Sequence, residues 1–182
     1  MTPGEQLARS FESYATLLPN GSCKAYWDSL GGVWTIGFGS TGHDVKSSTI
    51  WSRDTAESRF SRDYACARKG VLRASPHVSG NHLEALTSWA YNCGVGAYQT
   101  STLRRYVNAS RWLAAANEFP KWNHSGGRVV AGLTRRRAAE RALFLKPDVT
   151  PSDTEPDSQV PVSPPIPWIQ RFLNWLLSVP LQ

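Results

Sequence analysis

Hydrophobic residues recur at helical spacing in several separate runs along this chain, with a glycine-rich interval after the first run. That first run places Leu7, Ala8 and Phe11 on one face. It opens at Thr2-Pro3-Gly4-Glu5, where Thr suits the N-cap, Pro the first helical position, and Glu three residues on completes a capping box. The helix should end near Tyr14. A second run, Phe60, Tyr64, Ala67 and Val71, follows Asp54-Thr55-Ala56-Glu57, which reads as another capping box. A third carries Leu83, Leu86 and Ala90 and should stop at Gly94. Shorter helices are expected over residues 103–107, 112–119 and 133–145, set apart by Gly, Pro or Ser/Thr breaks.

Residues 15–48 have a different character. Pro19-Asn20-Gly21-Ser22, Gly31-Gly32, Gly37, Gly39 and Gly42 punctuate short segments such as Gly32-Val33-Trp34-Thr35-Ile36, the pattern of a small hairpin region. The expected class is therefore α+β, mainly α, with an N-terminal β-hairpin region and a helical C-terminal lobe. Beyond Leu145 the periodicity stops. The stretch from Lys146 to Pro167 contains seven prolines and four acidic residues, the composition of an extended linker. It leads into a short apolar segment, Trp168 to Val179, whose Gln170, Arg171, Asn174 and Ser178 share one helical face. Three parts are expected: a body over 1–146, a Pro-rich acidic linker over 147–167 and an amphipathic tail over 168–182.

Charge divides the chain at the same place. Residues 1–146 hold 19 basic and 10 acidic residues, whereas residues 147–182 hold 1 and 4. With 41% hydrophobic residues and eight Trp, the chain can bury a core, which excludes wholesale disorder and a collagen-like fibre. The N-terminus has no basic region followed by an apolar run, and no apolar stretch approaches the roughly 18 residues of a membrane span. A chain made in the cytoplasm is expected. Cys23, Cys66 and Cys93 are odd in number and form no C-x-x-C, so reduced thiols are expected, with neither a disulfide framework nor a zinc site. The four histidines are scattered without a ligand motif; no metal and no cofactor are expected.

The polar groups that suit chemistry concentrate at the front. Glu12 lies at the end of the first helix, and Asp28 and Thr35 lie in the hairpin segment. A helix end feeding a hairpin lets a Glu and an Asp face each other across a cleft, and two carboxyl groups in unequal surroundings are what glycosidic-bond cleavage requires. Glu12, next to Phe11 and near Tyr14, is the candidate for the drier position. Gly37-Phe38-Gly39-Ser40-Thr41-Gly42 matches G-x-G-x-x-G, but no convincing helix start follows and no βαβ unit surrounds it, so its glycines read as hairpin turns beside the cleft. Arg135-Arg136-Arg137 with Arg141 lacks an accompanying nucleic-acid-binding signature. It reads as a basic face, with part of the cluster folded back in ion pairs such as Arg136 to Glu140.

The string Ala25-Tyr26-Trp27-Asp28-Ser29-Leu30-Gly31-Gly32-Val33-Trp34-Thr35-Ile36-Gly37-Phe38-Gly39-Ser40-Thr41 resembles the front motif of phage-type lysozymes, the endolysins similar to the T4 enzyme (glycoside hydrolase family 24). Two further blocks match in order: Ala85 to Gly96 with Ser101-Thr102-Leu103, and Trp122-Asn123 through Gly132-Leu133-Thr134-Arg135-Arg136-Arg137-Ala138-Ala139-Glu140-Arg141. The resemblance implies a lysozyme-like fold and cleavage of the β-1,4 bond between N-acetylmuramic acid and N-acetylglucosamine; inversion is expected if the two carboxylates stand roughly 6.5 to 9.5 Å apart. It maps the catalytic set onto Glu12, Asp28 and Thr35, and sugar-cleft positions onto Gly39, Tyr91 and Asn92, the last two of which also fit helix-end packing. It further implies bacterial peptidoglycan as partner, a monomer, no specific nucleic acid, and access to the wall after holin-type release. Fifteen residues separate Glu12 from Asp28 and six separate Asp28 from Thr35, more than is usual in the family. A longer turn at residues 18–23 and one bulge at Gly31-Gly32 are expected to absorb them. Ser40 stands where the family often has His. Residues 168–179 fall outside the resemblance and suit either membrane contact, or self-association or docking onto the body. Alternatives that remain are a catalytically impaired wall- or polyanion-binding protein on this scaffold, and a membrane-active tail carried by the body.

Overall fold

The computed structural model describes residues 1–12, 14, 16–29 and 31–148, of which Met1–Asp148 form one compact unit. The expected linker from residue 149 and the amphipathic tail lie outside the described residues. Seven helices and three two-stranded antiparallel ribbons make up the described residues: α1 Pro3–Phe11, α2 Arg53–Ala74, α3 Gly80–Cys93, α4 Val95–Thr100, α5 Thr102–Asn108, α6 Trp112–Ala116 and α7 Ala131–Leu145. The ribbons pair β1 Cys23–Lys24 with β4 Ile50–Trp51, β2 Tyr26–Asp28 with β3 Val33–Thr35, and β5 His124–Ser125 with β6 Arg128–Val129. None of the described helices is long and apolar enough to cross a membrane.

Local chemistry explains most boundaries. Thr2 caps α1 by accepting from the Glu5 backbone N–H, and the helix stops at Glu12, earlier than Tyr14. The second helix begins two residues before the position that Asp54-Thr55-Ala56-Glu57 suggests. Ser52 is its cap, accepting from the Thr55 N–H at 3.1 Å, and Glu57 instead pairs with Arg53 and Arg9. Gly94, at φ +93°, ends α3 where expected. The expected single helix over 112–119 divides into α6 and a 3₁₀ turn at Phe119–Lys121. The third ribbon was not anticipated; Gly126 and Gly127, both at positive φ, form its turn.

Two cores flank the cleft described below. The front one joins Ala8, Cys23, Ile36, Phe38, Ala56, Phe60 and Tyr64; the rear one gathers around Trp89, Leu86, Tyr98, Phe119 and Phe144. Helix α3 is buried from Leu83 to Ala90, so its apolar and small residues face neighbours on every side. The buried charge of this stretch, Glu84, is satisfied by Arg68 at 2.5 Å, by the Gly4 N–H at 3.2 Å and by the Thr2 hydroxyl. Gly4 is required there, because a side chain would collide with the Glu84 carbonyl. The carboxylate thus anchors the positive end of α1 to α3.

The other end of α1 is held by a buried cation. Nη1 of Arg136 lies 2.6 Å from Oε1 of Glu12, and its Nε donates to Glu140 Oε1 at 3.2 Å. Glu140 is fully buried and also receives Ser88 Oγ at 2.9 Å and Arg137 Nη2 at 3.1 Å. The expected Arg136–Glu140 pair is therefore present as part of a larger network joining α1, α3 and α7. Removing its centre takes the cation from Glu12 and one of two cations from Glu140, which keeps Arg137 at 2.8 Å. Arg136→Met should lower stability by about 3–5 kcal/mol, the usual penalty for breaking a buried ion pair, seen as a melting temperature lower by roughly 10 °C. Arg136→Lys should recover only part of this, because an ammonium lacks the planar fork.

In the rear core the His82 ring stacks on Trp112 at 4.3 Å and meets Phe144 at 4.5 Å. Burial lowers the His82 pKa, with Asp148 opposing. The folded state thus favours neutral imidazole, so this contribution is complete above the ordinary value of about 6.5 and is lost as pH falls through the lowered folded value. Melting temperatures measured between pH 7 and 5 should fall, and His82→Phe should flatten that slope.

Candidate active site

Glu12 enters the site because α1 ends one residue before it. At the C-cap its backbone is extended (φ −96°, ψ 110°), and its N–H still bonds the Arg9 carbonyl. Opposite stands the Ile36–Ser40 turn, closed by two reciprocal backbone hydrogen bonds of 3.0 Å. Gly37 and Gly39 in this turn have φ +63° and +79°. A side chain at Gly39 would also strike Oε2 of Glu12, so the glycine is what allows the turn to approach the carboxylate so closely. These glycines are turn residues beside the cleft, and the segment after them does not form a nucleotide-binding helix; the next helix is α2.

Asp28 closes β2 in regular register, with Tyr26 opposite Thr35, Trp27 opposite Trp34 and Asp28 opposite Val33. The bulge expected at Gly31-Gly32 is absent from this pairing. Beyond the paired residues, the Gly32 N–H bonds the Asp28 carbonyl at 2.7 Å, and Gly32 has φ +64°. The longer loop at 18–23 does form. Leu18 and Ser22 are joined by a 2.8 Å backbone bond, Asn20 Oδ1 accepts from the Ser22 N–H, and Leu17 bridges Cys23. The paired residues of the Asp28 strand thus keep a regular register.

Glu12 and Asp28 line one cleft of about 880 Å³. Its walls include Phe11 and Gly31 from the front, Asn92 and Cys93 from the end of α3, Lys121 and Trp122 from the segment before β5, and Arg135 and Arg136 from α7. Tyr26 senses both carboxylates. Burial raises its phenol pKa, and Asp28 and Glu12 raise it further. Alternation along β2 and direct pairing with β3 place Tyr26, Asp28 and Thr35 on the same hairpin face.

The remaining expected residues divide. Thr35 is buried, and its hydroxyl donates to the Val33 carbonyl at 3.4 Å; it is not among the residues lining the cleft. Asn92 lines the cleft and accepts from Arg137 Nη2 at 2.9 Å. Tyr91 points into the front aromatic cluster, 5.2 Å from Phe60, and its hydroxyl donates to the Phe38 carbonyl at 2.7 Å. Burial raises its pKa, and the negative charge of Glu12 adds to the effect. Cys23 is buried opposite Trp51 in the β1–β4 ribbon, whereas Cys93 borders the cleft. Burial raises the Cys93 pKa against the lowering influence of Arg137, whose Nη1 lies 2.7 Å from Sγ, so the group is a thiol. Sequence reasoning did not place Cys93, Lys121 or Arg135 in the cleft. The block from Trp122 to Arg141 was the available signal, since it carries most of the rear wall.

The chain and its fold have known relatives. Residues 20–140 match the phage lysozyme family, and Glu12 lies just before the matched span. The endolysin of Bacillus phage PZA is 44% identical over 112 residues, covering 61% of this chain and 43% of the phage protein. The chain thus spans less than half the length of that relative. The endolysin of Acyrthosiphon pisum secondary endosymbiont phage 1 is 34% identical over 127 residues, covering 66% of this chain and 85% of that protein. Among solved structures, the muramidase domain of SpmX from Asticaccaulis excentricus superposes with a TM-score of 0.67 at 29% identity, over 81% of this chain and 97% of that domain. Sequence match and shared architecture cover the same body that carries the cleft, and the chain belongs to the phage lysozyme family.

Proposed function

We propose that this chain hydrolyses the β-1,4 bond between N-acetylmuramic acid and N-acetylglucosamine in bacterial peptidoglycan, as an endolysin acting on the cell wall. The observation that carries this reading is the pair of carboxylates, Glu12 and Asp28, facing one open cleft with Glu12 seated by a buried guanidinium. The family membership and the likeness to a muramidase domain support it.

In this reading Glu12 passes a proton to the leaving glycosidic oxygen as the bond to the anomeric carbon breaks. Asp28 accepts a proton from the water that attacks the opposite face of the sugar, which inverts the anomeric centre. Both carboxyl groups then regain their starting states by exchange with solvent. Thr35, on the Asp28 face of the hairpin, supports the water-holding side from behind. Asn92 borders the glycan, Gly39 lies against Glu12 without lining the cleft, and Tyr91 backs the site from the front core. Trp122 offers an apolar face on the cleft wall for a sugar ring.

Turbidity clearing of purified cell walls tests the assignment. Glu12→Gln should lower the clearing rate by at least about a hundredfold, the usual scale for losing a general acid, and Asp28→Asn should cause a loss of similar order. Unchanged clearing by Glu12→Gln would refute the reading. Unchanged clearing by Asp28→Asn alone would move the second role to another group. Absence of clearing by the wild type would favour a binding scaffold without catalysis.

A further inference from the structure

The cations of the cleft are unequally committed. Arg136 is engaged by Glu12 and Glu140, and Lys121 Nζ lies 2.7 Å from Glu118 Oε1. Arg135, the next residue along α7, lines the same cleft, is exposed, and has no hydrogen bond or ion pair among the described residues. Its surroundings add positive potential. The first turn of α7 carries no acidic residue, and its N-cap, Val130, gives no side-chain bond to the helix amides. Val130, Gly132 and Leu133 from this turn also border the cleft. In addition, Nη2 of the buried Arg136 has no hydrogen-bond acceptor among the described residues. Of these three cations, Arg135 is the one with no carboxylate partner among the described residues, and it stands beside a glycan-sized cleft.

A peptidoglycan strand cannot match that charge with its sugars. The N-acetyl groups are neutral, and the lactyl carboxyl of muramic acid is consumed in the amide bond to the peptide. The free carboxylates sit on the peptide arm, beginning with the α-carboxylate of its second residue, D-glutamate, in walls where that group is not amidated. We propose that Arg135 is a specificity residue that pairs with a carboxylate of the peptide arm, so that this chain prefers glycan bearing acidic arms to glycan whose arms are amidated. The proposal rests on the reading of the cleft as the peptidoglycan site. It explains why the cation beside the Glu12 clamp is left exposed and unpaired, whereas the next two arginines, Arg136 and Arg137, are buried.

The test uses the full chain carrying Glu12→Gln, so that the ligand is bound and not cleaved, and two probes. One is a disaccharide-peptide with the D-glutamate α-carboxylate free, and the other is the same molecule with that group amidated. Calorimetric titration should show the free acid bound about fivefold more tightly, the scale of one exposed charge pair, with the preference weakening as salt rises. Adding Arg135→Gln should bring the ratio to about one, and Arg135→Lys should retain most of it. A ratio near one before Arg135 is changed, a ratio that survives Arg135→Gln, or no binding of either probe would overturn the proposal. Wall clearing by the wild type separates the two claims. Clearing with no charge preference removes only the Arg135 role, whereas a preference without clearing removes the catalytic reading and leaves the binding role in place.

Discussion

Burying the Arg136 guanidinium is the constraint around which the rest of the active-site architecture is arranged. A cation with 3% exposure is tolerable only if its field and its donors are answered nearby, and Glu12 and Glu140 answer them from two directions. Glu140 is itself fully buried. Burial raises its pKa, the charges of Arg137 and Arg136 oppose that rise, and the Ser88 hydroxyl gives it a further donor. Removing Arg136 would take the cation from Glu12 and leave Glu140 dependent on Arg137. The network therefore specifies one relative placement of α1, α3 and α7, with Glu12 at its open end.

Helix α1 is short, and it depends on being held at both termini. Glu84 takes the orphan donors at its start, and Arg136 takes the carboxylate at its finish, each charge having the sign that the helix dipole favours. With that helix in place, the Ile36–Ser40 turn can press Gly39 against Glu12 while Phe38 reaches into the front core. Asp28 arrives by an independent route, through a two-stranded ribbon in regular register. The two carboxylates thus have different supports. One is bound to the helical body by a buried ion network, and the other stands at the end of a hairpin, an arrangement suited to two groups with unequal tasks.

Features encoded by adjacent residues were legible in the sequence. Thr2 and Gly94 mark helix ends through their own side-chain or backbone chemistry, and the i,i+4 spacing makes the Arg136–Glu140 pair visible. The cap of α2 was misplaced because Ser52 and Asp54 both satisfy the local rule; Glu57 turned instead to Arg53 and Arg9. The β5–β6 ribbon escaped notice because two residues per strand give no period to detect. The clamp on Glu12 links positions 124 residues apart, and no local pattern encodes that contact. Tyr91 and Asn92 show the same limit at closer range. They are adjacent in sequence, yet the turn of α3 sends one ring into the front core and the other side chain to the cleft wall. Thr35 likewise follows the motif, while its burial is set by the strand pairing.

The central claim is that Glu12 and Arg136 act as one energetic unit that both seats the carboxylate and locks α1 to α7. A double-mutant cycle on unfolding free energy, comparing wild type, Glu12→Gln, Arg136→Met and the double variant, measures that directly. The account predicts a coupling of about 2 kcal/mol between the two positions, well outside the additivity expected of independent sites. Additive effects, agreeing within about 0.5 kcal/mol, would show that the two groups are merely adjacent and would contradict the account.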